Sequence, residues 1–240
     1  MSRRTAEIVD SRGSHRNPRS SFGTGPLSRA TALVYTLLVV DVLILLAALP
    51  GLVPLALLGR DTSNLPLVAL CLVPLGPALS GAVYAVRHRS SDVTDLTPAA
   101  AFARGYRANV RGVLAIWVPL LAWLGIAAVS LANFGASGLP GWWAVLLAVV
   151  ALAATLGGMN ALVITSLFAF RSRDVARLAA YFLFRAPGVA LGNACLLIVT
   201  GGLAVLFSEV VLGLLASVFV LSLVRTSEPM LAVLRAEFTA

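Results

Sequence analysis

The chain has 240 residues, of which 59% are hydrophobic and only 12% charged, and its mean hydropathy is +0.94. A soluble domain of this length needs a polar shell that these residues cannot supply, so the composition excludes a soluble globular protein and points to the bilayer as solvent. The net charge of +8 arises from scattered arginines lying between apolar stretches, with no long basic run of the kind that binds nucleic acid.

Residues 1–28 are rich in Arg, Ser and Gly and lack any apolar period, so they read as a disordered basic cytoplasmic arm suited to anionic headgroups. The remainder, 29–240, reads as one transmembrane domain. A spanning helix needs about 20 apolar residues, and that filter finds six segments, at about 30–49, 66–86, 112–132, 142–170, 187–207 and 208–224. Pro50, Gly51 and Pro54 are expected to end or kink the first. The fourth exceeds the hydrocarbon thickness and is expected to tilt. The boundary between the fifth and sixth is weakly marked, because Thr200, Gly201 and Gly202 could also end a helix.

Orientation follows from the arginines, which cytoplasmic loops retain. They lie in the arm through Arg29, in the connection 87–111 (Arg87, Arg89, Arg104, Arg107, Arg111), in the connection 171–186 (Arg171, Arg173, Arg177, Arg185) and in the tail (Arg225, Arg235). The other connections contain only Arg60. Six spans with both termini inside satisfy this pattern. Trp142 and Trp143 fit the aromatic belt at the outer face. All 18 basic residues are arginine, a composition that points to a GC-rich, actinobacterial source and to the plasma membrane of a bacterial cell.

The two long inner connections carry amphipathic patterns. In the first, Pro98 opens a helix with Phe102 and Tyr106 on one face and Arg107 and Arg111 nearby. In the second, Val175, Leu178, Ala179 and Phe182 form a stripe, with Asp174 near the start and Arg185 near the end as the helix dipole favours. Both are expected to be separate helices on the inner leaflet, where Phe102, Tyr106, Arg107, Arg111, Arg173, Arg177 and Phe182 would contact a partner or the membrane surface.

Within the apolar segments Asp41 stands out, since a carboxylate near the bilayer centre costs roughly 2.5–3.5 kcal/mol on insertion scales. It reads either as a proton or cation site or as a hydrogen-bonded packing residue. Asn160 and Asn193 fall at comparable depth and could pair across two helices or line a polar cavity. Gly188 with Gly192, Ala153 with Gly157 and Ala154 with Gly158 form small-residue patterns of helix packing. Metal-ligand spacing is absent from the sequence: Cys71 and Cys195 lie in apolar runs, and His15 and His88 lie in the arm and at a helix end. Without HExxH, GxSxG, a P-loop or paired carboxylates in one segment, neither an enzyme nor a cofactor is expected.

The stretch LVPLGPALSGAVYAVRHR from Leu72 to Arg89, with Pro74, Gly76, Pro77, Ala78, Ala82, Tyr84 and Arg87, resembles the signature region of the YesL family of bacterial membrane proteins of unassigned function. FARGYRANVRG, with Phe102, Tyr106, Asn109 and Arg111, resembles that family's next segment. The resemblance spans roughly residues 30–235, and the long basic arm departs from it. It implies an accessory role beside carbohydrate ABC uptake systems, with transporter subunits or self-association as partners. The alternative is a small secondary transporter that uses Asp41 as its coupling residue.

Overall fold

A helix is the way a long apolar segment can satisfy its own backbone groups, and the apolar segments adopt it. The computed structural model describes residues 26–59, 61–89, 97–206 and 213–238, and no strand occurs among them. The arm expected over 1–28 falls outside the described residues up to residue 25, and the boundary between the fifth and sixth segments falls outside them too. The helices are α1 (Pro26–Leu57), α2 (Leu65–Cys71), α3 (Leu75–Arg87), α4 (Pro98–Ala132), α5 (Trp142–Leu167), α6 (Ser172–Arg185), α7 (Pro187–Leu206), α8 (Ala216–Thr226) and α9 (Glu228–Phe238).

Four helices are long and apolar enough to cross a membrane, at Ala30–Leu57, Pro98–Ala132, Trp142–Leu167 and Pro187–Ala204. Two bent pairs raise the number to six if each is one span: Thr62–Cys71 with Leu75–Arg87, bent by 44°, and Ala216–Thr226 with Glu228–Ala236, bent by 47°.

Several expected boundaries shift for identifiable reasons. The first helix does not stop at Pro50, because Pro50 and Pro54 lie four residues apart on its exposed side and are accommodated within α1. The second segment breaks instead. Pro74 and Pro77 bring no N–H, so the ladder is rerouted through Val73 N–H to the Leu70 carbonyl, at 3.1 Å. The Leu72 carbonyl at the break accepts from Leu75 N–H at 3.2 Å and from the Trp117 indole Nε1–H of α4 at 3.0 Å. Glycines let neighbouring helices close on this break: a methyl at Gly51 would collide with the Cys71 carbonyl oxygen, and one at Gly76 would sit 2.6 Å from the Trp117 ring.

The separate surface helix expected around 98–111 is corrected. It is continuous with the third segment as the 35-residue α4, about 50 Å long at 1.5 Å per residue, against about 30 Å of hydrocarbon. The surplus is the arginine-bearing first part. The segment at 171–186 does form its own helix, α6. The fourth helix ends at Leu167 rather than Phe170. The tail beyond Val224 is also helical: α9 buries Met230, Leu231 and Leu234, which the expectation of a simple tail had missed.

Contacts fix an up-and-down order. Gly76 approaches Trp117 and, about two turns further along α3, Tyr84 approaches Gly105, so α3 and α4 are antiparallel. Gly158 meets Leu120 and Gly112 meets Thr165 between α4 and α5, Gly192 meets Thr226 between α7 and α8, and Gly213 meets Leu45 beside α1. Of the glycines in the small-residue patterns, Gly158 and Gly192 are used this way, whereas nothing lies within 4 Å of a methyl placed at Gly157 or Gly188. This order brings the end of α3, the start of α4, the end of α5, all of α6, the start of α7 and the end of α8 to one end of the bundle. Arg87, Arg104, Arg107, Arg111, Arg171, Arg173, Arg177, Arg185 and Arg225 therefore gather there.

The core has two parts. Short α3, buried along nearly its whole length, is wrapped by α1, α4, α5 and α8. Val40, Ile44, Phe102 and Val220 pack around its Val83 and Val86. Towards the arginine-rich end, Ile164, Val175, Phe182, Val189, Met230 and Leu234 join α5, α6, α7, α8 and α9.

Candidate functional site

The interior polar residues come first, because burying them without partners is costly. Asp41 on α1 is 5% exposed. Its Oδ1 accepts a hydrogen bond from the backbone N–H of Ser217 at 2.8 Å, in the first turn of α8, where free N–H groups and the helix dipole favour a carboxylate. Leu215, at the N-cap position of α8, provides no side-chain cap, so Asp41 performs that service from another helix. The carboxylate thus ties α1 to α8.

Asn160 on α5 and Asn193 on α7 are both fully buried. Asn193 Nδ2 donates to Asn160 Oδ1 at 2.9 Å, so the cross-helix pairing, and not a cavity lining, describes them. The complementary atoms, Asn160 Nδ2 and Asn193 Oδ1, are buried without a hydrogen-bond partner, which offsets part of the stabilisation. A third contact was not anticipated. Ser166 Oγ donates to the Leu162 carbonyl at 2.6 Å and lies 2.9 Å from Ser80 Oγ, and Asn109 Nδ2 donates to the Ser166 carbonyl at 3.0 Å, joining α3, α4 and α5. Small hydroxyls inside apolar runs were the available signal.

The arginine-rich end presents a different surface. Along the first part of α4, Arg104, Arg107 and Arg111 are exposed on one stripe. Phe102, expected as a contact residue, is instead 5% exposed and packs in the α3 core, with Tyr106 half-buried and stacked on it at 6.3 Å. On α6 the same correction applies to Phe182, which is 1% exposed because its stripe with Val175 and Ala179 seals the bundle end. Arg173 and Arg177 are exposed. Tyr181 and Phe184, which the sequence reading passed over, are the exposed aromatics, Phe184 at 85%. The helical period could have found them, since both lie opposite the Val175–Ala179–Phe182 stripe.

A groove of about 530 Å³ lies between α2 and α4, lined by Pro66, Leu70, Val73, Leu121 and Ile126 among others. It contains no charged side chain, and the Ser130 hydroxyl is the one polar side chain in its lining, too little to orient a polar substrate by convergent contacts. Among the described residues no group of three His, Cys, Asp or Glu side chains could hold a metal ion, and Cys71 and Cys195 are free thiols. No family model, curated protein or solved structure matches this chain.

Proposed function

We propose that the chain is an integral protein of a bacterial plasma membrane, crossing the bilayer six times with both ends in the cytoplasm, and that it acts as a non-enzymatic accessory protein. Support for the membrane reading comes from the apolar helices and from the arginines gathered at one end of the bundle, which the positive-inside rule assigns to the cytoplasm. In this reading α4 carries its partner surface at the inner end, and the YesL resemblance points to a carbohydrate ABC uptake system as that partner.

One observation carries the choice of an accessory role. The carboxylate and amides inside the apolar helices are engaged in helix-to-helix bonds, Asp41 with Ser217 and Asn193 with Asn160, whereas Arg104, Arg107 and Arg111 are displayed without burial. Coupled transport through Asp41 would need a carboxylate free to exchange a proton or cation along a wet path. A residue 5% exposed and hydrogen-bonded to a helix start favours a structural role.

The test is gentle solubilisation from native membranes followed by mass spectrometry of what co-purifies. Sugar-transporter subunits in stoichiometric amount, lost in the R104Q/R107Q/R111Q variant, are the expected result. Recovery of the wild-type chain alone, combined with solute uptake that depends on Asp41, would overturn the accessory role in favour of transport.

A further inference from the structure

We propose that the outward face of α6 binds the headgroups of anionic phospholipids in the inner leaflet. This rests on the membrane reading above and adds a ligand class and a set of residues to it. The sequence Arg173, Arg177, Tyr181, Phe184 advances by steps of four, four and three residues, which at about 100° per residue keeps all four within roughly a quarter of the helix circumference. Val175, Ala179 and Phe182, buried against the bundle, occupy the opposite side. The four are exposed, Tyr181 at 50% and Phe184 at 85%.

Their level is set by connectivity. Ser172 follows closely on the end of α5 at Leu167, and Arg185 comes just before α7 begins at Pro187. Both ends of α6 are thus pinned where apolar helices leave the hydrocarbon, which is headgroup level. The stripe has the composition that level selects. Two guanidinium groups one turn apart present forked donors to phosphate oxygens. The aromatic half adjoins α7, whose exposed Leu191 and Ile198 belong in the acyl region, so Tyr181 and Phe184 sit at the boundary that aromatic side chains prefer. Asp174, the one acidic residue of α6, lies in its first turn, and Arg173, Arg177 and Arg185 outweigh it. Charge complementarity therefore favours anionic over zwitterionic lipid.

The experiment uses the full-length chain in non-ionic detergent, titrated with phosphatidylglycerol or phosphatidylcholine of the same acyl chains, with retained lipid read by native mass spectrometry. Wild type should retain phosphatidylglycerol preferentially. At about fivefold per arginine, R173Q/R177Q should weaken that retention about twenty-fivefold and weaken phosphatidylcholine far less. F184A should weaken both lipids alike, and since the side chains are exposed, thermal unfolding should report all variants as folded. Equal retention of the two lipids by wild type, or an R173Q/R177Q variant that keeps the preference, would overturn the proposal. So would stripe variants that keep lipid preference but lose a stoichiometric protein partner, which would make the face a protein interface. A chain extracted from membranes by carbonate would overturn the membrane reading itself, whereas a membrane-resident chain without lipid preference overturns only the assignment of α6.

Discussion

Replacing Asp41 separates a structural carboxylate from a coupling one. Asp41→Ala removes the acceptor of a 2.8 Å bond and leaves the Ser217 N–H without its partner in a place where Asp41 itself is 5% exposed. An orphaned buried donor costs about 1–3 kcal/mol, and loss of a helix-start cap about 0.5–2 kcal/mol. These describe the same interaction, so the expected loss is about 1–3 kcal/mol in total. Asp41→Asn keeps an oxygen that can accept from Ser217 and exchanges the charge and the second oxygen for an amide NH2, so its cost should stay below that of Asp41→Ala, at about 1 kcal/mol. The assay is reversible unfolding by SDS in mixed micelles, followed by far-UV circular dichroism, with partner co-purification measured alongside. Asn near wild type and Ala clearly destabilised is the expected order, with partner recovery intact for Asn. An Asn variant as unstable as Ala would refute the capping argument, and one that is fully folded and yet abolishes solute uptake would restore the coupling role.

The remaining predictions concern how the helices are held together. Gly51→Ala should destabilise by about 1–3 kcal/mol or more, because its new methyl meets the Cys71 backbone oxygen and not a flexible side chain; Gly188→Ala, with open space around it, should unfold at or above the wild-type SDS concentration. Trp117→Phe should cost about 1 kcal/mol through loss of the indole bond to the Leu72 carbonyl, a modest figure because Leu75 N–H still serves that oxygen; an unchanged midpoint would count against the bond. A double-mutant cycle of Asn160→Ala and Asn193→Ala should return a coupling of about 0.6–1.7 kcal/mol, and additive effects would show that the pair does not act as one contact.

Much of the helical framework was legible because hydropathy acts over whole segments. A run such as Trp142–Leu167 has one way to satisfy its backbone when its side chains are apolar, whatever its neighbours are. The buried stripe of α6 was legible for a similar reason, since Val175, Ala179 and Phe182 announce a face by their spacing. Spacing does not say what a face meets. Phe102 and Phe182 looked like an outward surface and proved to be core, because α3 and α9 supply apolar partners from distant parts of the chain. Prolines misled in both directions: those of α1 lie on the exposed side and are absorbed, whereas Pro74 and Pro77 produce a break that Trp117 can stabilise.

By itself, then, the sequence determined that this chain is helical, apolar and strongly biased in where its arginines fall, since these are properties of local composition and period. Which polar groups are spent inside the bundle was decided only by tertiary structure. Asp41 and Ser217 are 176 positions apart, Ser80 and Ser166 are 86 apart, and Asn160 and Asn193 are 33 apart. A buried hydrogen bond depends on distance and direction between two atoms, and those are fixed by how helices pack, not by where the residues stand along the chain. The same packing turned Phe182 inward and left Arg173, Arg177, Tyr181 and Phe184 facing out.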